Sequence, residues 1–197
     1  AQKQYAAVAR AIAEFEPVTV CVNQADYANA KAVFEDDENV TVVEMTTDDA
    51  WVRDTGATWV IDDKGGKRAV HWHFNAYGGF ENGLYFPWDK DEQIALKMAE
   101  MSGCRRYRPE SLILEGGSIH VDGEGTVVTT DMCLLDPGRN ASVTEHAAWS
   151  EELREYMNGY LKDYLGVDKV IWVKDGIDPE ETNGHIDDVA CFVAPGK

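Results

Sequence analysis

A short polar motif that contains glycine precedes an apolar, strand-like run at three places, and this recurrence constrains the fold more than any other feature. The three motifs are Asp54-Thr55-Gly56, Glu115-Gly116-Gly117 and Asn183-Gly184-His185. They are separated by about 60 to 70 residues, a spacing that indicates repeated sheet-plus-helix units rather than one continuous sheet. If these units surround an axis, the three motifs would converge near its centre.

The rest of the chain alternates between strand-like and helical patterns, which predicts an α/β fold. Alternating and apolar runs predict strands at 18–22, 40–44, 57–61, 68–74, 118–121, 126–130, 169–173 and 188–193. Helical periodicity predicts helices at 26–34, 90–101 and 143–165, the last of which would begin at a Ser142-x-x-Glu145 capping box. A further helix at the beginning of the chain would place Tyr5, Val8, Ile12 and Phe15 on one face.

Composition narrows the range of partners. The formal net charge of −18 argues against nucleic acid and against an anionic membrane surface, because polyphosphates would be repelled. The same charge is compatible with a small cationic ligand. No run is long and apolar enough to span a bilayer, and no signal peptide is visible. The four cysteines have no C-x-x-C spacing, so buried free thiols in a cytoplasmic protein explain them better than disulfides or zinc.

An acidic segment around a histidine is the strongest candidate for chemistry. His185 and Asp187 would lie on the same face of the predicted strand, and an imidazole beside a carboxylate suits acid–base catalysis. Asp54 could supply a second carboxylate, since a carboxylate pair can clamp a guanidinium group. Trp51 could stack on a flat cation. The competing interpretations are a charged loop that caps a sheet and a tryptophan that belongs to the core.

Two further patterns favour structural roles. Glu115 precedes two adjacent glycines, which more often solve a packing problem than form a site. His71 and His73 alternate on a predicted strand as zinc ligands could, but no third ligand occurs at a recognised spacing. A packed or solvated strand face is therefore the favoured interpretation, and no metal site is predicted.

Five motifs together resemble the agmatine deiminase family, within the wider guanidine-modifying pentein superfamily. They are Trp51-Val52-Arg53-Asp54-Thr55-Gly56, Phe74-Asn75-Ala76-Tyr77-Gly78-Gly79, Leu84-Tyr85-Phe86-Pro87-Trp88-Asp89, Leu114-Glu115-Gly116-Gly117-Ser118-Ile119-His120-Val121-Asp122 and Glu180-Glu181-Thr182-Asn183-Gly184-His185-Ile186-Asp187-Asp188. The resemblance implies a five-bladed α/β propeller. Residues 1–197 would then be a single, incomplete domain that contains about three of the five blades.

The resemblance also implies an activity: hydrolysis of agmatine to N-carbamoylputrescine and ammonia, through a covalent intermediate on a cysteine. Asp54 and Asp187 match the aspartates that bind the guanidinium group, and His185 matches the general acid and base. Trp51 and Glu181 match positions that line the substrate site. No metal or organic cofactor is implied, and relatives of this kind often associate into oligomers.

The family's nucleophilic cysteine lies in a glycine-rich segment that is followed by His-Cys, and none of the four cysteines here has that context. We therefore expect the nucleophile to lie outside residues 1–197 and the chain alone to be inactive. Two alternatives remain open: a deiminase of peptidyl-arginine or another arginine derivative, and a non-catalytic module that binds guanidinium groups.

Overall fold

The computed structural model describes all residues from Ala1 to Lys197, which form two compact units, Ala1–Ala50 and Trp51–Lys197. Strands and helices alternate in both, as expected for an α/β fold. No helix combines the length and the apolar character that crossing a membrane requires. The cytoplasmic location expected from the sequence stays a prediction.

The first unit is a two-stranded parallel sheet with helices packed on it. Strands β1 (Val18–Val22) and β2 (Val40–Glu44) pair in parallel, and the connection between them contains helix α2 (Tyr27–Val33). Helix α1 (Gln2–Ala13) precedes β1 and buries Ala6 and Ala9. The small alanine side chains let this helix approach the apolar cluster formed by Ala30, Phe34, Val40 and Val42.

The apolar face anticipated on α1 is exposed rather than buried. Tyr5, Val8 and Ile12 are each at least 41% exposed, and Phe15 lies beyond the helix and is 88% exposed. The sequence pattern therefore identified an apolar stripe on α1, but the residues of this helix that pack within the unit are Ala6 and Ala9.

The second unit contains two three-stranded sheets of the same construction. In each sheet an antiparallel pair is followed by a helix and then by a strand that joins in parallel. The first sheet consists of β3 (Thr58–Ile61), β4 (Lys67–Val70) and β5 (Arg106–Tyr107), with helix α5 (Ile94–Met101) before β5. The second consists of β6 (His120–Val121), β7 (Thr126–Thr130) and β8 (Lys169–Val173), with helix α8 (Glu151–Leu165) before β8. Four single-turn helices complete the unit: α3 (Val52–Thr55), α4 (Gly79–Asn82), α6 (Asp131–Leu134) and α7 (Asn140–Val143).

Helix α8 carries the main contact with the core of the second unit. Leu153, Met157 and Leu161 follow one another at four-residue intervals, and all three are fully buried. Fully burying an aliphatic side chain of this size stabilises a fold by about 1.5–3 kcal/mol relative to exposure. Their partners in the cluster include Val70, Leu112, Leu114, Val127, Leu134 and Leu135.

The predicted beginning of the long helix at residue 143 is wrong. Helix α8 begins at Glu151, and the hydroxyl oxygen of Ser150 accepts the Leu153 N–H at 3.1 Å. Ser142, which was expected to cap the helix, instead donates its hydroxyl to the Arg139 carbonyl at 2.5 Å. The predicted end is correct, because Gly166 adopts the left-handed conformation that commonly ends helices.

Four predicted strands are shorter than expected or absent, and one of them, 57–61, lacks only its first residue. The run at 188–193 is not a strand: the N–H groups of Val189 and Ala190 both bond to the Ile186 carbonyl and close a turn. The run at 68–74 ends as a strand at Val70, and the run at 118–121 is reduced to His120–Val121. Alternation of apolar residues allows a strand, but a neighbouring strand must also be available to pair with it.

The expectation of uniformly buried thiols is also wrong. All four cysteines are free, but only Cys133 is buried, whereas Cys21 and Cys191 are exposed and Cys104 is half-buried.

His71 and His73 lie in a network of charged groups after β4. The Nε2 atom of His71 is 2.8 Å from the Glu92 carbonyl oxygen, and Nδ1 is 3.2 Å from an Arg106 guanidinium nitrogen. Since the carbonyl and the guanidinium can only accept and donate respectively, Nε2 carries the hydrogen and the ring is neutral. Arg108 bonds to both Glu92 and His73. These hydrogen bonds agree with the interpretation of His71 and His73 as packed residues.

Burial lowers the pKa of His71 to about 4, and the nearby Arg108 and Arg106 charges act in the same direction. The unfolded chain therefore binds one more proton at this site than the folded chain between pH 6.5 and 4. We predict that this histidine removes on the order of 3 kcal/mol of unfolding free energy as the pH falls through that window. Urea unfolding across the window measures the slope.

The His71→Gln variant should have a flatter slope than the unaltered chain, because the titrating group is gone. His146→Gln is the matched control, because it removes a half-buried histidine outside this network. Equal slopes for the unaltered chain and His71→Gln would contradict the assignment.

Candidate functional site

Asp54 is positioned by a single helical turn and two hydrogen bonds. It lies in helix α3 and is 9% exposed. Its Oδ1 atom accepts the Gly117 N–H at 2.9 Å, and its Oδ2 atom accepts the Tyr77 hydroxyl at 2.9 Å. Burial raises the pKa of Asp54 above its usual value, an effect that the His185 charge and the Gly117 N–H partly oppose. A bound cation would therefore favour the ionised form of this carboxylate.

Glu115 and Arg139 form an ion pair that is completely buried. The Nε atom of Arg139 lies 3.0 and 3.1 Å from the two carboxylate oxygens of Glu115, and neither side chain reaches solvent. Arg139 also donates to the Thr182 carbonyl at 2.6 Å. Burial alone would raise the pKa of Glu115, but the charges of Arg139 and of the adjacent His185 imidazole outweigh it and lower the pKa to about 2. Glu115 is therefore a permanent carboxylate.

His185 lies among three carboxylates and is 2% exposed. Its Nδ1 atom is 3.8 Å from Asp54 Oδ1 and 3.8 Å from Asp187 Oδ1, and its Nε2 atom is 3.5 Å from Glu115 Oε2. Burial lowers the pKa of His185, but the Glu115 and Asp54 carboxylates outweigh this effect, so the pKa is raised above its usual value. The surrounding carboxylates thus favour the protonated form of the imidazole.

The backbone around His185 differs from the strand that the sequence predicted. Gly184 has a φ of +88°, and its carbonyl accepts the Thr130 hydroxyl at 2.6 Å. A 3₁₀ turn, Ile186–Asp188, follows His185, and Ile186 is fully buried. This turn, rather than strand alternation, brings the side chains of His185 and Asp187 together.

Gly117 lies where the three functional groups meet. A Cβ atom at this position would collide with His185 Nδ1 and would lie 2.8 Å from Asp54 Oδ1 and 2.9 Å from Asp187 Oδ2. These separations are shorter than van der Waals contact, so only glycine leaves room for the imidazole and both carboxylates. The Glu-Gly-Gly motif is therefore part of the site and does more than solve a packing problem.

The structure brings together Asp54, His185 and Asp187 but not Trp51 or Glu181. Trp51 directly precedes α3 and is 60% exposed, and Glu181 is also exposed. Neither side chain makes a hydrogen bond or ion pair with the three central residues. Sequence reasoning missed Glu115 as a functional residue, although an acid directly before two glycines was an available signal.

A sequence model of the Porphyromonas-type peptidyl-arginine deiminase family matches residues 1–197, that is, the whole chain. The chain belongs to this family. The fold of this family member is α/β, as in the similar solved structures described below.

Among similar curated proteins, the agmatine deiminases of Pseudomonas aeruginosa (strain UCBPP-PA14) and Ectopseudomonas mendocina are 54% and 52% identical to this chain over 197 residues. In both comparisons the alignment includes 100% of this chain and 51% of the relative. This family member therefore spans about half the length of the curated relatives it matches.

Two solved structures support the same placement. The agmatine deiminase of Enterococcus faecalis superposes with a TM-score of 0.90 at 50% identity, over 99% of this chain and 50% of that one. A cysteine-to-serine variant of the C. jejuni agmatine deiminase, solved with substrate bound, superposes with a TM-score of 0.81 at 27% identity. That alignment covers 98% of this chain and 53% of the C. jejuni chain.

We predict that Gly117→Ala will weaken the binding of a guanidinium cation, with agmatine as the probe, at least about tenfold, because the new methyl group displaces His185 and the two aspartates. An NMR titration of the chain with agmatine measures even weak binding. Gly159→Ala is the matched control, since a Cβ at that helical position meets no atom within 4 Å. Equal affinities for the two variants, with secondary structure retained in both, would show that Gly117 does not shape the site.

Proposed function

We propose that this chain supplies the guanidinium-binding and acid–base residues of an agmatine deiminase. One observation carries the proposal: Asp54 and Asp187, which are 133 positions apart in the sequence numbering, each have a carboxylate oxygen 3.8 Å from the same nitrogen of a buried imidazole. A planar cation that bonds to both carboxylates would lie directly beside His185. The high identity to agmatine deiminases supports agmatine as the source of that cation.

In this proposal, Asp54 and Asp187 bind the guanidinium group and keep it protonated and oriented. A neutral guanidine is a poor electrophile, so holding the cationic form favours nucleophilic attack on its central carbon. Charge-assisted bonds between carboxylates and guanidinium groups are also stronger than neutral hydrogen bonds. The raised pKa of Asp54 supports this role, because the buried carboxylate gains from a cationic partner.

His185 would act as the general acid and then as the general base. Its Nδ1 atom faces the two aspartates, and its Nε2 atom faces Glu115. Glu115 cannot accept the proton permanently, because its own pKa is low, so it would stabilise the charged imidazole. The imidazole would protonate the departing ammonia and then remove a proton from the attacking water.

The nucleophile in this proposal is a cysteine outside residues 1–197. Burial raises the pKa of the Cys133 thiol, so the reactive thiolate is disfavoured there. Cys191 is exposed in the turn-rich segment after Ile186–Asp188. In the full reaction a thiolate would attack the guanidinium carbon and ammonia would leave. Water would then release N-carbamoylputrescine and regenerate the thiol.

Trp51 and Glu181 would contribute the remaining substrate contacts. The exposed ring of Trp51 precedes the helix that carries Asp54, where it could stack on the flat guanidinium group. Glu181 precedes His185 by four residues, and we assign its carboxylate to the distal amine of agmatine. Both contacts require the side chains to turn towards the bound substrate.

We also propose the five-bladed propeller as the architecture of the longer protein. The chain contains three separate sheets, and two of them have the same strand order and directions. Residues 1–197 would then be one incomplete domain with about three of the five blades. The coverage of about half of the relatives' length supports the same view.

A deiminase of arginine residues in peptides is the second candidate, because the matching family is described by that activity. The two are distinguished by ammonia release from the longer protein with agmatine, free arginine and a blocked arginine peptide as substrates. We expect agmatine to be the preferred substrate. A preference for the peptide would establish the second candidate. Guanidinium binding without ammonia release would indicate the non-catalytic module.

We predict that Asp54→Asn will reduce kcat/KM for agmatine by at least roughly 30-fold, or ~2 kcal/mol, because a charge-assisted contact is lost. Steady-state ammonia release from the longer protein is the measurement. Asp188→Asn provides a matched control, because it removes the same charge from an exposed residue near the site. If both variants lose activity equally, general charge rather than the contact made by Asp54 is responsible.

A further inference from the structure

A buried thiol completes a three-ligand cluster behind the proposed acid–base site. Glu115, Cys133 and His185 are all buried, and their donor atoms lie within 4.8 Å of one another. Cys133 Sγ is 3.7 Å from Glu115 Oε2, and the same oxygen is 3.5 Å from His185 Nε2. The proposed deiminase chemistry makes no use of this thiol.

One atom in the cluster lacks a hydrogen bond. His185 Nε2 is buried and has no hydrogen-bond partner, although it faces the Glu115 carboxylate. Buried polar atoms of proteins nearly always have a partner, so an exception calls for a physical explanation. An ion that is ligated by this nitrogen would provide the missing partner.

The spacing matches that of a tetrahedral zinc site. Zinc binds sulfur, nitrogen and oxygen ligands at about 2.0–2.3 Å, which places neighbouring ligand atoms of a tetrahedron roughly 3.3–3.8 Å apart. The distances from Glu115 Oε2 to Cys133 Sγ and to His185 Nε2 already lie in this range. The donor atoms of all three residues lie within 4.8 Å of one another.

We propose that Glu115, Cys133 and His185 form an inhibitory binding site for a thiophilic divalent cation of the zinc class. Thiolate, imidazole and carboxylate together form a donor set typical of zinc, whereas calcium and magnesium require oxygen ligands. The inhibitory effect of the bound ion rests on the proposed function, because it requires His185 to be the acid–base residue. Binding itself does not depend on that function.

The charges of the cluster can accommodate the ion. Zinc binding displaces the thiol proton and, when the imidazole is charged, its Nε2 proton as well. Exchange of a divalent ion for two protons leaves the net charge of the buried cluster unchanged. Arg139 holds the Glu115 carboxylate through Nε and so keeps Oε2 directed towards the other two ligands.

Occupancy would stop the proposed reaction at His185. A metal on Nε2 prevents that nitrogen from carrying a proton, so the imidazole can no longer alternate between its neutral and charged forms. The two aspartates near Nδ1 would remain in place. Zinc should therefore reduce turnover more than it weakens agmatine binding.

Binding is tested on the 197-residue chain with Co²⁺ as a spectroscopic probe. A cobalt ion at this site should produce a thiolate-to-cobalt charge-transfer absorption, and one equivalent of Zn²⁺ should remove it. Cys133→Ser should abolish this absorption and weaken zinc binding by at least roughly 100-fold. Cys191→Ser is the matched control and should retain both, because that thiol is exposed and outside the cluster.

Absence of the absorption from the unaltered chain would overturn the site, whatever the variants do. Its persistence in Cys133→Ser would also overturn it, because the thiolate would then come from another cysteine. Cys133→Ala provides a second variant if the serine destabilises the core.

In the longer protein, the ratio of ammonia release with Zn²⁺ to ammonia release without Zn²⁺ should be below one, and Cys133→Ser should return this ratio to one. A zinc-binding chain whose longer form does not release ammonia from agmatine would refute the proposed function and leave the metal site standing.

Discussion

The buried ion pair between Glu115 and Arg139 is the interaction on which the site depends. Arg139 bonds to both Glu115 oxygens and to the Thr182 carbonyl, so it connects two of the recurring motif regions. Glu115 in turn lies beside Nε2 of His185. Removing one partner of a buried pair leaves an uncompensated charge and costs about 3–5 kcal/mol. The position and the charge of His185 are therefore coupled to the stability of this unit.

The electrostatic balance around His185 explains why a cation suits this site. Asp54, Glu115 and Asp187 surround one imidazole, and Glu115 is already neutralised by Arg139. The two aspartates have no comparable cationic partner except His185 itself. A guanidinium group bound to both aspartates would supply the missing charge. At Glu115 and Cys133 a divalent ion would instead replace two protons, which leaves the net charge of that buried cluster unchanged.

The longer elements were predictable from local pattern, whereas short elements were not. Apolar alternation indicated the correct bounds for strands β1, β2, β7 and β8. Each of these strands is five residues long and at least partly buried. The segment at 188–193 has the same alternation but closes a turn on the Ile186 carbonyl. The first turn of α8 was misplaced because Ser142 and Ser150 both precede acidic residues, and local sequence does not say which hydroxyl the helix will use.

The sequence by itself determined the alternating α/β plan and identified Asp54, His185 and Asp187 as candidate site residues. Only the tertiary structure decided that Glu115 is a buried carboxylate against His185, that Cys133 lies beside it, and that Trp51 and Glu181 remain exposed. The reason is physical. Residue type and local periodicity are properties of neighbouring positions, whereas charge pairing between side chains more than 60 positions apart arises only when the packed core has brought their segments together.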